Sequence, residues 1–160
     1  MKAQVYTFHI AYEGFEDKIW RMVEVSCNNT LAQLGYLILA TFDSLAYHAV
    51  EFTFKNAHYV LPMILEEGDM DDAEDSTRIK LCKMGLSRGE QFDMEYDYGC
   101  SQIFKIRLDG IADMEQGRGL HYPYVTDGQG RGILEDVSAE EFGEIVGKIE
   151  AAGKSDYHIE

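Results

Sequence analysis

Nothing in this chain is apolar for long enough to cross a bilayer as a helix, which takes roughly 20 consecutive apolar residues. The opening MKAQVYTFHIAYEG interrupts its hydrophobic residues with polar ones and reads as neither a signal peptide nor an anchor. Basic residues are scarce: fourteen Lys and Arg stand against twenty-nine Asp and Glu, a net charge of −15. The nearest thing to a basic group, Arg78, Lys80, Lys83 and Arg88, follows a heavily acidic loop. Such a chain repels phosphate backbones and anionic lipid heads, so neither direct nucleic-acid binding nor membrane association is expected. A basic protein surface, a metal ion or a neutral ligand is easier to accept. Cysteine is scarce as well. Cys27, Cys82 and Cys100 are odd in number and contain no C-x-x-C, which argues against a disulfide framework or a zinc knuckle. They fit reduced thiols in a cytosol, and the expectation is a soluble, cytoplasmic protein.

At 160 residues and 46% apolar, the chain is sized for one domain with one core, expected over 1–152, with 153–160 as a frayed tail. Residues 3–12 read as a well-covered strand, and 19–25 as a second, with Ile19, Met22, Val23 and Val25 inward and Arg21 and Glu24 outward. The short connection between them predicts an antiparallel hairpin. Asn28-Asn29-Thr30 supplies helix-start chemistry, and Leu31, Leu34, Leu37, Ile38, Phe42 and Leu45 follow as one apolar stripe. Gly35 in that helix marks close packing onto the sheet. Val50–Phe54 predicts a third strand that Tyr59–Leu61 continues or pairs with. Strand, strand, helix, strand is the opening order of a β-grasp arrangement, a statement about topology alone. Phe92–Tyr96 and Ile103–Leu108 alternate strictly, with Phe104, Ile106 and Leu108 facing the core. Ser138-x-x-Glu141 is a capping box opening a last helix that carries Phe142, Ile145, Val146 and Ile149. The predicted class is α+β, with a mixed or antiparallel sheet packed on one main helix, a hairpin around 92–108 and a C-terminal helix.

Two motifs invite a sharper reading and fail it. Residues 66–76 carry seven carboxylates, yet the sixth position from Asp69 is Glu74 rather than glycine and the twelfth is Lys80 rather than glutamate. That spacing excludes an EF-hand calcium loop and leaves a solvated loop. Asp97-Tyr98-Gly99 has the form of a kinase magnesium motif, but no glycine-rich phosphate loop, lysine-bearing strand or catalytic loop accompanies it. Turn chemistry explains it instead. Asp97 can bond its own backbone two residues on, and Gly99 can take positive φ without steric cost.

Several segments together carry a resemblance. Ile19-Trp20-Arg21, Ala40-Thr41-Phe42, His48-Ala49-Val50-Glu51-Phe52, Glu95-Tyr96-Asp97-Tyr98-Gly99, and Leu134-Glu135-Asp136 after Gly128-Gln129-Gly130 occur in the order seen in the plasmid pRiA4b ORF-3-like family. The chain resembles that family over about residues 3–150. It departs from the family pattern at Cys100, Gln102 and Phe104, where the family has aspartate, tryptophan and histidine, and at Ser138 and Ala139. The resemblance implies the family's fold and no particular reaction. Through the family's mobile-element neighbourhood it also implies accessory work in DNA transactions by way of a protein partner. A serine recombinase is not implied, since no arginine cluster is present to hold a scissile phosphate.

The candidate binding residues are His48, Glu51, Asp97, Tyr98, Tyr122, Glu135 and Asp136. One reading is a non-catalytic interaction module that presents Tyr98, Tyr122 and their neighbours Tyr96 and Tyr124, with the acidic loop, to a protein partner. The other is a metal-assisted hydrolase built on His48, Glu51, Asp97 and Asp136, whose carboxylates and imidazole suit a divalent ion or acid–base work. The first is the reading the sequence favours, with no cofactor or metal assigned. Each residue also has a plain structural role open to it: His48 at the end of the main helix, Glu51 in an ion pair with Arg21 or another sheet residue, Glu135 and Asp136 near the start of the last helix.

Overall fold

In a computed structural model that describes residues 3–67, 72–114 and 122–151, the chain builds a single mixed sheet. The elements in order are β1 (Gln4–Tyr12), β2 (Trp20–Ser26), α1 (Leu31–Thr41), β3 (Val50–Phe54), β4 (Ala57–Val60), α2 (Pro62–Glu66), β5 (Ala73–Asp75), a 3₁₀ turn at Leu81–Lys83, β6 (Gln91–Tyr96), β7 (Gln102–Asp113), β8 (Tyr124–Gln129) and α3 (Ala139–Ala151). The strands lie in the order β5-β4-β3-β6-β7-β1-β2-β8. Every neighbouring pair is antiparallel except β4–β5. This is the α+β class expected, with the β-β-α-β opening and the 92–108 hairpin in place. The proposed tail at 153–160 lies outside the described residues. Among the described residues, no helix is long and apolar enough to cross a membrane.

Three elements lie where none was expected, one of them in the stretch 66–76 read as a solvated loop. β5 sits inside the acidic stretch, β8 inside the glycine-rich stretch, and α2 begins at Pro62. Short, polar edge strands leave little periodic signal, because neither of their faces has to be apolar. All six residues of β8 are exposed.

The core occupies one face of the sheet. Tyr6, Phe8, Ile10 and Tyr12 of β1 meet Phe104, Ile106 and Leu108 of β7, Phe92, Met94 and Tyr96 of β6, and Phe52 and Phe54 of β3. α1 lies across this face through Leu31, Leu34, Ile38 and Leu39. Thr30 starts it with a reciprocal cap: its hydroxyl accepts from the Gln33 N–H, and the Gln33 side chain accepts from the Thr30 N–H. The apolar stripe ends at Phe42. Leu45 beyond it is exposed, because the chain has already left the helix. α3 closes the end of the sheet by inserting Phe142 against Tyr12 and Phe15, with Val146 buried beside it.

Arg21 corrects the sequence reading of β2. It shares a face with Val23 and Val25, which are buried, so it points toward α1 rather than to solvent. Met22 takes the outer face instead. The Arg21 guanidinium donates to the carbonyls of Thr41, Trp20, Gln129, Gly130 and Arg131, and its carbon lies 4.5 Å from the Phe42 ring centroid. The last turn of α1 contains no basic residue of its own. Arg21 therefore supplies from β2 the cation and donors that free helix carbonyls require.

Gly35 shows how closely α1 approaches the sheet. A Cβ there would stand 2.6 Å from Phe52 Cζ and 3.4 Å from the Met94 sulfur, both in the sealed core. Gly35→Ala gains about 1 kcal/mol of helix propensity. Overpacking costs about 1–3 kcal/mol, so the net expectation is a loss of stability. Urea denaturation reads it directly, and a more stable variant would contradict this packing.

Candidate functional site

The β6–β7 hairpin turns through residues 97–101 with Tyr96 paired to Gln102. Asp97 Oδ1 accepts from the Gly99 N–H at 3.1 Å, the local bond expected of this motif. The backbone angles differ from the expectation. Gly99 does not take positive φ; Asp97 (+64°) and Ser101 (+52°) do. Asp97 is a residue that tolerates the left-handed region, so the turn is bent by its aspartate, with glycine kept small beneath the carboxylate. Ala46 (+57°) and Asp136 (+58°) share that conformation. Four non-glycine residues in a disfavoured region therefore flank one corner of the sheet, a pattern that needs the surrounding structure to hold it.

Tyr96 and Glu135 hold that corner. The Tyr96 ring is fully buried. Its hydroxyl accepts from the N–H groups of Tyr47 (3.2 Å) and His48 (3.4 Å) and donates to Glu135 Oε2 at 2.9 Å. The other Glu135 oxygen accepts from the Ser44 hydroxyl and from the Leu45 N–H at 2.6 Å. A half-buried carboxylate with three donors is well satisfied. It ties the α1–β3 loop, β6 and the segment before α3 together. Burial, with the Glu135 bond adding to it, pushes the Tyr96 hydroxyl pKa up, so Tyr96 stays a donor.

With backbone positions set, three side chains converge. His48 Nε2 lies 2.7 Å from Asp136 Oδ1 and 3.6 Å from Asp97 Oδ2. One ligand-type atom from each residue falls within 4.8 Å of the other two. Asp97 is buried, 7% exposed, whereas Asp136 is open to solvent. The Tyr47 hydroxyl donates to Asp136 Oδ2. That bond, then the one from His48, lowers the Asp136 carboxyl below its ordinary value, and the Tyr47 hydroxyl is pushed up to about 12. Among the described residues, no lysine or arginine forms an ion pair with Asp97, Glu135 or Asp136. The partner recorded for two of them is His48. Cys100 stands beside the group, its thiol pKa raised first by burial and then by the Asp97 charge.

The remaining sequence candidates are elsewhere. Glu51 faces the opposite side of the sheet, where it accepts from the Tyr98 hydroxyl at 3.0 Å and meets His58 Nδ1 at 3.2 Å. Its ionic partner is thus His58 on β4, not Arg21. Glu51 therefore drops out of the four-residue set. His48 does not cap α1, whose C-terminal cap is the Phe42 backbone. Tyr122 stacks on Tyr124 at the start of β8, centroids 5.4 Å apart. Tyr124 pairs with Glu24, which lies opposite Thr7, which lies opposite Gly110 far along β7. Tyr98 sits beyond the other end of β7, so Tyr98 and Tyr122 do not form one rim. Tyr47 and Ser44 were not singled out from the sequence, where only the adjacency of Tyr47 to His48 marked it, and Cys100 was named there only as a free thiol and a departure from the family pattern.

Comparison with known proteins adds two findings. A family model described as plasmid pRiA4b ORF-3-like protein matches residues 4–157. The crystal structure of a protein of unknown function, MM3350 from Methanosarcina mazei Go1, superimposes with a TM-score of 0.81 at 24% identity, over 94% of this chain and 83% of that one. At that identity the likeness speaks for the fold alone. No curated protein matches.

Two outcomes follow from the hydrogen bonding. Tyr96→Phe removes the hydroxyl that three groups share and costs about 1–3 kcal/mol in denaturant unfolding; an unchanged midpoint would remove Tyr96 from this role. Asp136 has a depressed folded pKa, so the stability it contributes is present above its ordinary value of 3.8 and is lost as pH falls below that value. The stability gap between the wild type and Asp136→Asn should therefore shrink as acid is added through this range. A gap that stays constant would show that Asp136 has no favourable contact in the fold.

Proposed function

The chain belongs to the plasmid pRiA4b ORF-3-like family, and from that premise we propose that it is a binding module whose ligand is a divalent transition-metal ion held by His48, Asp97 and Asp136. The observation that carries this reading is the convergence of one imidazole nitrogen and two carboxylate oxygens, with no lysine or arginine paired to them among the described residues. One nitrogen and two oxygens suit zinc, manganese or cobalt better than calcium, which takes six or more oxygens.

The spacing supports it. Ligand atoms about 2.0–2.1 Å from a tetrahedral ion stand about 3.3 Å from one another. The Nε2 to Asp97 separation of 3.6 Å is near that value already. The Nε2 to Asp136 separation of 2.7 Å is a hydrogen bond and would open by roughly half an ångström. Asp136 is exposed on a loop and can make that move. The two carboxylates balance a divalent charge, and the Tyr96–Glu135 contacts prearrange His48 for it.

The hydrolytic reading comes second: an ion held by His48, Asp97 and Asp136 would supply Lewis acidity and an activated water for hydrolysis. Free thiols at Cys27, Cys82 and Cys100 support placing the protein in the reducing cytoplasm. The Tyr98 side chain, 44% exposed on the far face, remains the part of the proposed protein-partner surface nearest the site.

Calorimetry with Zn²⁺, Mn²⁺ and Co²⁺ on the intact chain tests the cation. The expected result is saturable binding to one site that raises the melting temperature. His48→Gln and Asp97→Asn, which keep the turn geometry, should each weaken it at least tenfold. Affinity should fall as the solution is made more acid, because protons compete with the ion for its ligands. Equal binding by the two variants, or no binding of any of the three ions, would reject the site.

A further inference from the structure

A second site lies at the other end of the sheet. A cavity of about 640 Å³ opens between the start of β1, the end of β2, the 3₁₀ turn and the end of β7. Its size is that of a small-molecule pocket. The register places it far from the His48 corner, since Gln4 pairs with Asp113 here while Tyr12 pairs with Phe104 there. Its walls are fixed in place. The 3₁₀ turn is pinned to the segment after β2 by the N–H groups of Leu81 and Cys82, which donate to the carbonyls of Asn29 and Cys27 at 2.9 Å.

The lining has a definite chemistry. Tyr6 is 6% exposed, lines the cavity, and its hydroxyl has no hydrogen-bond partner among the described residues. The ring is buried while the hydroxyl opens to the cavity, where it can donate to a ligand. Lys80 and Lys83 stand at the mouth, and among the described residues neither forms an ion pair, against one carboxylate, Asp113. In a chain of net charge −15, two ammonium groups without acidic partners at one cavity mark a local reversal of sign. The Asn28 carbonyl faces the Cys82 thiol at 3.9 Å, which leaves its amide N–H groups for a ligand. The Tyr6 ring and the Cys27 and Cys82 sulfurs supply the less polar wall.

We propose that this cavity binds a small organic phosphate, its phosphate between Lys80, Lys83 and the Tyr6 hydroxyl and its organic body against the Tyr6 and Cys27 wall. Two lysine ammonium groups bind a phosphate as point charges, with no bidentate geometry required. The two lysine charges outweigh the single carboxylate of Asp113, so the cavity favours an anion. Burial raises the Tyr6 pKa and keeps its hydroxyl a donor. The reading is independent of the cation site.

Phenyl phosphate is the probe, titrated calorimetrically into the intact chain at low ionic strength, with inorganic phosphate and phenol as separate arms. Phenyl phosphate should bind more tightly than either fragment. The exposed double variant Lys80→Ala/Lys83→Ala should weaken it at least tenfold and Tyr6→Phe severalfold, while His48→Gln should leave it unchanged. Saturating phenyl phosphate should also slow alkylation of Cys82 by iodoacetamide, read by peptide mass. Equal affinity for the lysine double variant, or undiminished Cys82 alkylation at saturation, would overturn the proposal. Binding of inorganic phosphate as tight as that of phenyl phosphate would reduce the site to an adventitious ion only.

Discussion

The corner that carries the candidate site depends on one hydrogen-bonded node, the buried Tyr96 hydroxyl against the Glu135 carboxylate. Tyr96 belongs to a strand whose register is fixed by pairing on both sides, with Val50 and with Gln102. Glu135 belongs to an irregular segment with no pairing to fix it. Joining the two transfers the rigidity of the sheet to a loop. The same hydroxyl accepts from Tyr47 and His48, so a second loop is fixed by the same atom. Loops are the usual place for binding residues, and they work only when a scaffold positions them. Here the scaffold reaches them through one phenol.

Arg21 plays the corresponding role at the junction of α1, β2 and β8. Its five carbonyl acceptors belong to residues 20, 41 and 129–131, three stretches far apart in sequence. Gly130 accommodates this convergence: with φ at +82°, a Cβ there would lie 2.3 Å from the Lys18 carbonyl oxygen. The edge strand β8 then runs on from that junction with every residue exposed. It is held by its ladder to β2 and by Arg21 rather than by apolar burial.

The departures from the family pattern acquire a physical meaning in this frame. Phe104 is wholly buried between Phe42 and Tyr12, centroids 5.0 and 5.4 Å away. Gln102 is equally buried, accepting from the Tyr12 hydroxyl at 3.1 Å and donating to the Leu134 carbonyl at 3.0 Å. Both positions face the core and are well packed there. Position 100 differs. Cys100 stands beside Asp97 and leaves a thiol at the edge of the His48, Asp97 and Asp136 group.

The sequence by itself determined the strands and helices whose burial is periodic. β6 and β7 repeat every second residue and α1 keeps one apolar face, because each has a core on one side only, while β1 reads as a strand covered on both faces. It also determined the Asp97 turn, since the bond from a carboxylate to an N–H two residues away is local. Tertiary structure alone decided what lies across a long sequence gap. It turned Arg21 inward to find helix carbonyls, separated Tyr98 from Tyr122 along the length of β7, and sent Glu51 to the far face away from His48. It brought Asp136 to His48 across 88 residues. A side chain's partner depends on how sheet order and loop closure fold the chain in three dimensions, and no pattern of neighbours along the chain encodes that distance.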